Sequence, residues 1–76
     1  MYILIQHSGS AYHNKVANYI KDYAEDNYGA VCEFEIGEED SPIILYNDDH
    51  DKIAEFSTMP DEEVLDMHLK LNYLED

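Results

Sequence analysis

The sequence predicts a small α/β domain in the order strand, helix, strand, strand, strand, helix, with a mixed four-stranded sheet, both helices on one face and the other face open. Three observations lead there. Apolar residues recur at spacings of three and four in two segments, one early and one at the C-terminal end, as amphipathic helices require. Short β-branched or alternating runs stand before and between them, bounded by Gly, Pro, Asn and Asp. The chain is only 76 residues long with 45% hydrophobic residues, so it forms one domain, residues 1–76, with a modest core that buries only about 60% of its unfolded surface.

Met1-Tyr2-Ile3-Leu4-Ile5 is the first strand, and Gln6-His7-Ser8-Gly9-Ser10 ends it with turn chemistry. Ser10 then precedes an apolar stripe of Tyr12, Val16, Tyr19, Ile20 and Tyr23, flanked by Ala17 and Ala24, that Gly29 terminates. From Ala30 to Ile36 the pattern alternates: Val31, Glu33 and Glu35 on one parity, Cys32, Phe34 and Ile36 on the other, which predicts a strand with one wet face and Cys32 toward the core. Gly37-Glu38-Glu39-Asp40 is a turn. Pro42 opens the third strand, Ile43 to Tyr46, and Asn47-Asp48-Asp49-His50-Asp51 turns it into a fourth, Lys52 to Phe56. Pro60, the acidic first turn Asp61-Glu62-Glu63, and Val64, Met67, Leu71 and Leu74 at helical spacing give the last helix.

Eighteen acids stand against four basic residues, a net charge of −14. The first 21 residues hold Lys15 and Lys21 and no acid, whereas the rest hold all 18 acids with Lys52 and Lys70, so +2 faces −16. Nucleic acid is excluded as a ligand because phosphates demand clustered Lys and Arg, and anionic lipid for the same reason. With one cysteine there is no internal disulfide. No apolar run approaches the ~20 residues that span a bilayer, and no signal-peptide pattern follows Met1. A cytoplasmic protein is expected, in a host cytoplasm if a phage encodes it.

The element order and three local patterns resemble the glutaredoxin and thioredoxin-like family. The stretch Ser8-Gly9-Ser10-Ala11-Tyr12-His13 is similar to the S-G-C-P-Y-C type segment that opens the family's first helix. Pro42 stands ahead of Ile43-Ile44-Leu45-Tyr46 where the family has a proline, normally in a cis peptide, before its third strand. Phe56-Ser57-Thr58-Met59-Pro60-Asp61 resembles the junction to its last helix. Nearly the whole chain is covered, and the resemblance implies a reduced version of that fold.

The same alignment of patterns implies that the redox site is lost. Ser10 and His13 occupy both cysteine positions, so with Pro42 they form a vestigial motif. A serine hydroxyl cannot supply the thiolate that thiol–disulfide exchange needs, and a Cys32 in the core behaves as an inert hydrophobe. The regions that hold glutathione in the family read Gln6-His7 and Ala54 to Met59, without Lys, Arg or Gly. Five residues, Gly37 to Ser41, replace the helix that the family places between its second and third strands. The sheet face opposite the helices should therefore be open, lined by Glu33 and Glu35, rimmed by Glu38, Glu39 and Asp40, and shared with Tyr2, Tyr46 and Glu55.

Two constellations compete with bland readings. Ser10 and His13, one helical turn apart, have the spacing of a nucleophile and base, but Ser is a preferred N-cap and residues 1–21 contain no acid to orient the histidine. Asp48-Asp49-His50-Asp51 offers carboxylates to a hard cation, yet lacks the alternating spacing of a calcium loop, and Asn and Asp are ordinary turn residues. Neither metal nor cofactor is expected.

The acidic surplus exceeds what solubility asks of a small domain, about 2 to 8 units. The expectation is a non-enzymatic acidic binding protein, monomer or homodimer, that occupies a basic nucleic-acid-binding groove of a host protein through Glu33, Glu35, Glu38, Glu39, Asp40, Asp48, Asp49, Asp51 and Glu55. At class level it resembles the nucleic-acid mimics that bacteriophages use against host nucleases, restriction systems and CRISPR complexes. The rivals are a divergent glutaredoxin-like oxidoreductase with Cys32 as its sulfur nucleophile, and a structural adaptor that docks through the open face.

Overall fold

The structure is a computed structural model that describes the backbone of residues 1–75 and the side chains of residues 1–71. It contains β1 (Tyr2–His7), α1 (Ala11–Tyr28), β2 (Val31–Ile36), β3 (Ile43–Tyr46), β4 (Lys52–Phe56) and α2 (Glu62–Glu75). The strands form one mixed sheet in the order β2-β1-β3-β4. β1 and β2 run parallel with Ile3 beside Cys32 and Ile5 beside Phe34, as a helical crossover permits, whereas β1–β3 and β3–β4 are antiparallel. A bulge at Leu45/Tyr46 lets Tyr46 pair with Lys52 after Leu45 pairs with Ala54.

α1 begins where its sequence says it should. Ser10 is extended (φ −66°, ψ 160°), and its Oγ accepts a hydrogen bond from the His13 N–H at 3.2 Å, which satisfies one of the amides that a helix start leaves unpaired. At the other end Gly29 adopts φ +62°, and the amides of Gly29 and Ala30 return to the carbonyls of Glu25 and Ala24. That left-handed closing turn is why glycine stands there.

One core sits between the sheet and both helices. Ile3 and Ile5 of β1, Ile43 and Leu45 of β3, and Ala54 and Phe56 of β4 meet Val16, Ala17, Ile20 and Ala24 of α1 and Leu65 and Leu69 of α2. The strand contributions alternate along each chain, so both helices cover the same sheet face. Between Ile36 and Ile43 there is only a turn, and among the described residues no helix covers the opposite face.

Three expectations need correction. The buried face of α2 is not Val64, Met67 and Leu71, which are 39%, 53% and 60% exposed, but Leu65 and Leu69; Leu74 lies outside the described side chains. In this rotation Leu65 and Leu69 are fully buried, and the Asp66 carboxylate between them accepts hydrogen bonds from the hydroxyls of Tyr23 (3.1 Å) and Tyr28 on α1. Secondly, Phe34 and Ile36 keep the core-facing parity yet stay exposed, because α1 packs over β1 and the inner part of β2 and leaves this edge strand projecting. Cys32 is half-buried against the core cluster. Thirdly, the cis peptide that the family resemblance attaches to Pro42 is not found, since no cis bond occurs among the described residues.

Candidate functional site

The open face is built by the register of four strands. In parallel pairing Tyr2, Leu4 and Gln6 of β1 share a side with Val31, Glu33 and Glu35 of β2, and antiparallel pairing adds Ile44 and Tyr46 of β3, then Glu55 and Lys52 of β4. The residues opposite one another make two rows across the sheet: Glu33, Leu4, Tyr46, Lys52, and beside it Glu35, Gln6, Ile44, Glu55. Leu4 is buried at 8% exposure although no helix covers it, so its neighbours on the face shield it. Tyr2 donates its hydroxyl to Glu33 Oε2 at 3.0 Å, and partial desolvation, this hydrogen bond and the charges of Glu33 and Glu35 push the phenol's pKa up.

The acids that the sequence nominates divide into separate places. Glu33 and Glu35 lie on one face of β2, about 6.6 Å apart as same-face strand neighbours. Glu38, Glu39 and Asp40 continue from the C-terminal end of β2, so 33 to 40 forms one acidic line along the edge and around its end. Asp48, Asp49 and Asp51 occupy the β3–β4 turn, at the opposite end of the sheet because β3 runs antiparallel to β1. Glu55 shares the open face but sits three strands from Glu35, about 14 Å at the usual strand spacing. That exceeds the Debye length of about 8 Å at physiological salt. Glu55 is moreover held by Lys52, Nζ to Oε1 3.0 Å. The unneutralised charge of the sheet face therefore concentrates at its β2 edge.

The β3–β4 turn organises itself without a cation. Asn47 Oδ1 accepts from the amides of Asp49 and Asp51, each at 2.9 Å, and the Asn47 carbonyl accepts from His50 N–H. His50 takes the left-handed conformation, φ +64°. Among the described residues no group of three or more His, Cys, Asp or Glu side chains is arranged to hold a metal ion.

At the Ser8–His13 segment, the His13 ring pairs with Ser8 and not with Ser10. Its Nδ1 lies 2.8 Å from Ser8 Oγ and accepts from the Ser8 amide at 3.3 Å, while Ser10 is occupied as the helix cap. Gly9, at φ +84°, makes the turn that brings Ser8 back over the helix. The sequence signal for this pair was the glycine between two serines, but a five-residue separation across a loop has no fixed geometry until that turn is known. His7 is buried, with Nδ1 accepting from the Gly9 amide at 3.1 Å and its ring edge-on to Phe34. Burial first, then the proximity of His13, pushes its pKa below the ordinary histidine value. Ser8, Gly9 and Ser10 line a shallow depression of about 480 Å³ with Glu39 and Asp40 on its other wall, so an anion approaching this helix start would meet carboxylates. Cys32 is remote from it on β2, and burial, reinforced by Glu25, pushes its thiol up to about 11.

Fold and site together define a small α/β protein with an uncovered, acid-edged sheet face. No family model, curated protein or solved structure matches the chain. Among the described residues no helix is long and apolar enough to cross a membrane.

Proposed function

We propose that this chain is an acidic binding protein on a reduced glutaredoxin-like fold, which inhibits a basic protein by occupying the groove where that protein receives nucleic acid. The observation that carries the reading is the uncovered sheet face ending in the acidic line Glu33, Glu35, Glu38, Glu39 and Asp40. Two carboxylates about 6.6 Å apart on one strand face, followed by three more in the turn beyond it, offer a basic groove concentrated negative charge, the feature by which duplex DNA attracts such grooves. Tyr2 and Tyr46 add aromatic surface of the kind enriched in protein interfaces. Association is steered by charge, fast, and weakened by salt.

A redox role has less support. A thiol raised to about 11 is almost wholly protonated at neutral pH, and the thiolate is the nucleophile. The test is capture of partners on the immobilised protein, their identification, and competition with duplex DNA. A nucleic-acid enzyme released by DNA supports the reading, as does its loss on Glu33→Lys/Glu35→Lys. A partner retained at saturating DNA and indifferent to that double substitution refutes it.

A further inference from the structure

The two margins of the sheet differ. β4 is short, carries the bulge and presents Lys52, all devices that discourage a further strand. β2 lacks proline and bulge over six residues, its charges, Glu33 and Glu35, are acidic and confined to one face, and among the described residues no strand occupies its outer side. It therefore deters a further acidic strand and leaves a basic one free to add. The Val31 amide donates to the Met1 carbonyl and the Gly37 amide to the His7 carbonyl, which fixes the phase of the parallel ladder. The odd-numbered residues thus bond inward to β1, and Cys32, Phe34 and Ile36 turn their N–H and C=O groups outward. Alongside these groups, Val31, Phe34 and Ile36 are 63%, 43% and 64% exposed.

We propose that the outer edge of β2 is a strand-addition site for an extended basic segment of another protein, in which Lys or Arg alternate with apolar residues. The inference rests on the reading of the chain as a binder of basic proteins and adds how the partner is held. Side chains of an added strand alternate between faces. One set would stand beside Glu33 and Glu35, the other beside Cys32, Phe34 and Ile36. Basic residues suit the first and apolar ones the second. In antiparallel addition the outward-bonding residues form the hydrogen-bonded pairs, so Glu33 and Glu35 fall at the close pairs, with Cα atoms about 4.5 Å from those opposite. A second copy is disfavoured as the occupant. The antiparallel registers that align most of the strand, centred on Glu33 or on Phe34, oppose Glu33 to itself or to Glu35, and like charges directly opposed destabilise a pair.

The test uses a synthetic peptide alternating Lys and Val, titrated at low salt into isotope-labelled protein. A second peptide carries N-methyl groups on its valine amides, the set that faces β2 in antiparallel addition when the lysines stand beside Glu33 and Glu35, and a third has the same composition with its lysines in one block. Strand addition predicts slowed hydrogen exchange at the amides of Cys32, Phe34 and Ile36. Affinity should fall about 30- to 150-fold for the N-methylated peptide, from the loss of two or three hydrogen bonds each worth about fivefold. Phe34→Pro, which removes an outward N–H and leaves the β1 ladder alone, should also lower the affinity. If that variant does not fold, the methylated peptide still decides the matter. Equal affinity for all three peptides, or protection elsewhere, overturns strand addition and leaves a charge-only binding face standing. Absence of binding by every basic peptide removes both.

Discussion

Glu35→Lys should make the protein more stable, and the size of the gain can be worked from its place on β2. Glu33 stands about 6.6 Å away on the same face, Gln6 is its cross-strand neighbour, and Glu55, more than twice as far, has its charge offset by Lys52. The Glu33–Glu35 repulsion is therefore the dominant local cost. In water two unit charges at that distance interact by about 0.6 kcal/mol, which screening reduces to about 0.5 kcal/mol at 0.01 M salt and about 0.3 kcal/mol at 0.15 M. Reversing one charge turns repulsion into attraction, so the swing is about 1 kcal/mol at the lower salt, or a Tm raised by about 4–8 °C in a domain of this size. Glu35→Gln should show about half of that. Thermal unfolding by circular dichroism across a salt series measures it, with the gain fading toward 1 M salt, where the Debye length is about 3 Å. A lowered Tm, or a gain of equal size at 1 M salt, refutes the electrostatic reasoning. The same variant should bind its partner more weakly, and opposite movement of stability and affinity marks a surface kept for binding.

Other outcomes follow from the packing. Leu69→Ala should cost about 2–5 kcal/mol as a core truncation, whereas Met67→Ala should stay within about 0.5 kcal/mol as a surface change; urea unfolding distinguishes them, and equal costs would restore the face of α2 that the sequence suggested. The Tyr23–Asp66–Tyr28 contact should make stability depend on pH at both extremes. Tyr28, held up to about 12 by the Asp66 hydrogen bond, contributes stability that is complete below the free phenol pKa of about 10 and lost as pH climbs through 12. Asp66, lowered chiefly by Tyr28, contributes stability that is present above the free carboxyl pKa and lost as pH falls through its folded value. Tyr28→Phe should flatten the alkaline limb and weaken the acid one in melts taken across pH. Gly29→Ala should cost about 1–2 kcal/mol, because the site has room for a Cβ but a left-handed backbone that L-residues resist. Cys32 should react with a disulfide reagent far more slowly at pH 7 than a free thiol, and rapid reaction would revive the oxidoreductase reading.

The elements that local chemistry controls were legible in the sequence: the strand run at Tyr2 to Ile5, the helix between Ser10 and Gly29, and the β3–β4 hairpin around Asn47. What depended on the third dimension was not. Residues 64 to 71 contain two interleaved apolar stripes, and helical period alone cannot choose between Val64/Met67/Leu71 and Leu65/Leu69; the buried stripe is the one that also brings Asp66 to the two tyrosines on the other helix. Parity assigned Phe34 and Ile36 to the correct face, but only the position of α1 shows that the face is bare at that margin. The nine nominated acids were equivalent as letters, and strand direction separates the β3–β4 turn and Glu55 from the line at 33 to 40. His7 read as part of a turn, yet it is the last residue of β1 and lies under the loop.

The bulge in β4 has a consequence for stoichiometry. A sheet with two receptive margins can be extended from both ends, and its complexes grow into chains. Here one margin is blunted by an irregular, lysine-bearing strand, so whatever joins the other finds no second place to continue. With strand addition at β2 as proposed, each copy would take one partner and its complexes would stop at that size, because β4 offers no second margin for growth.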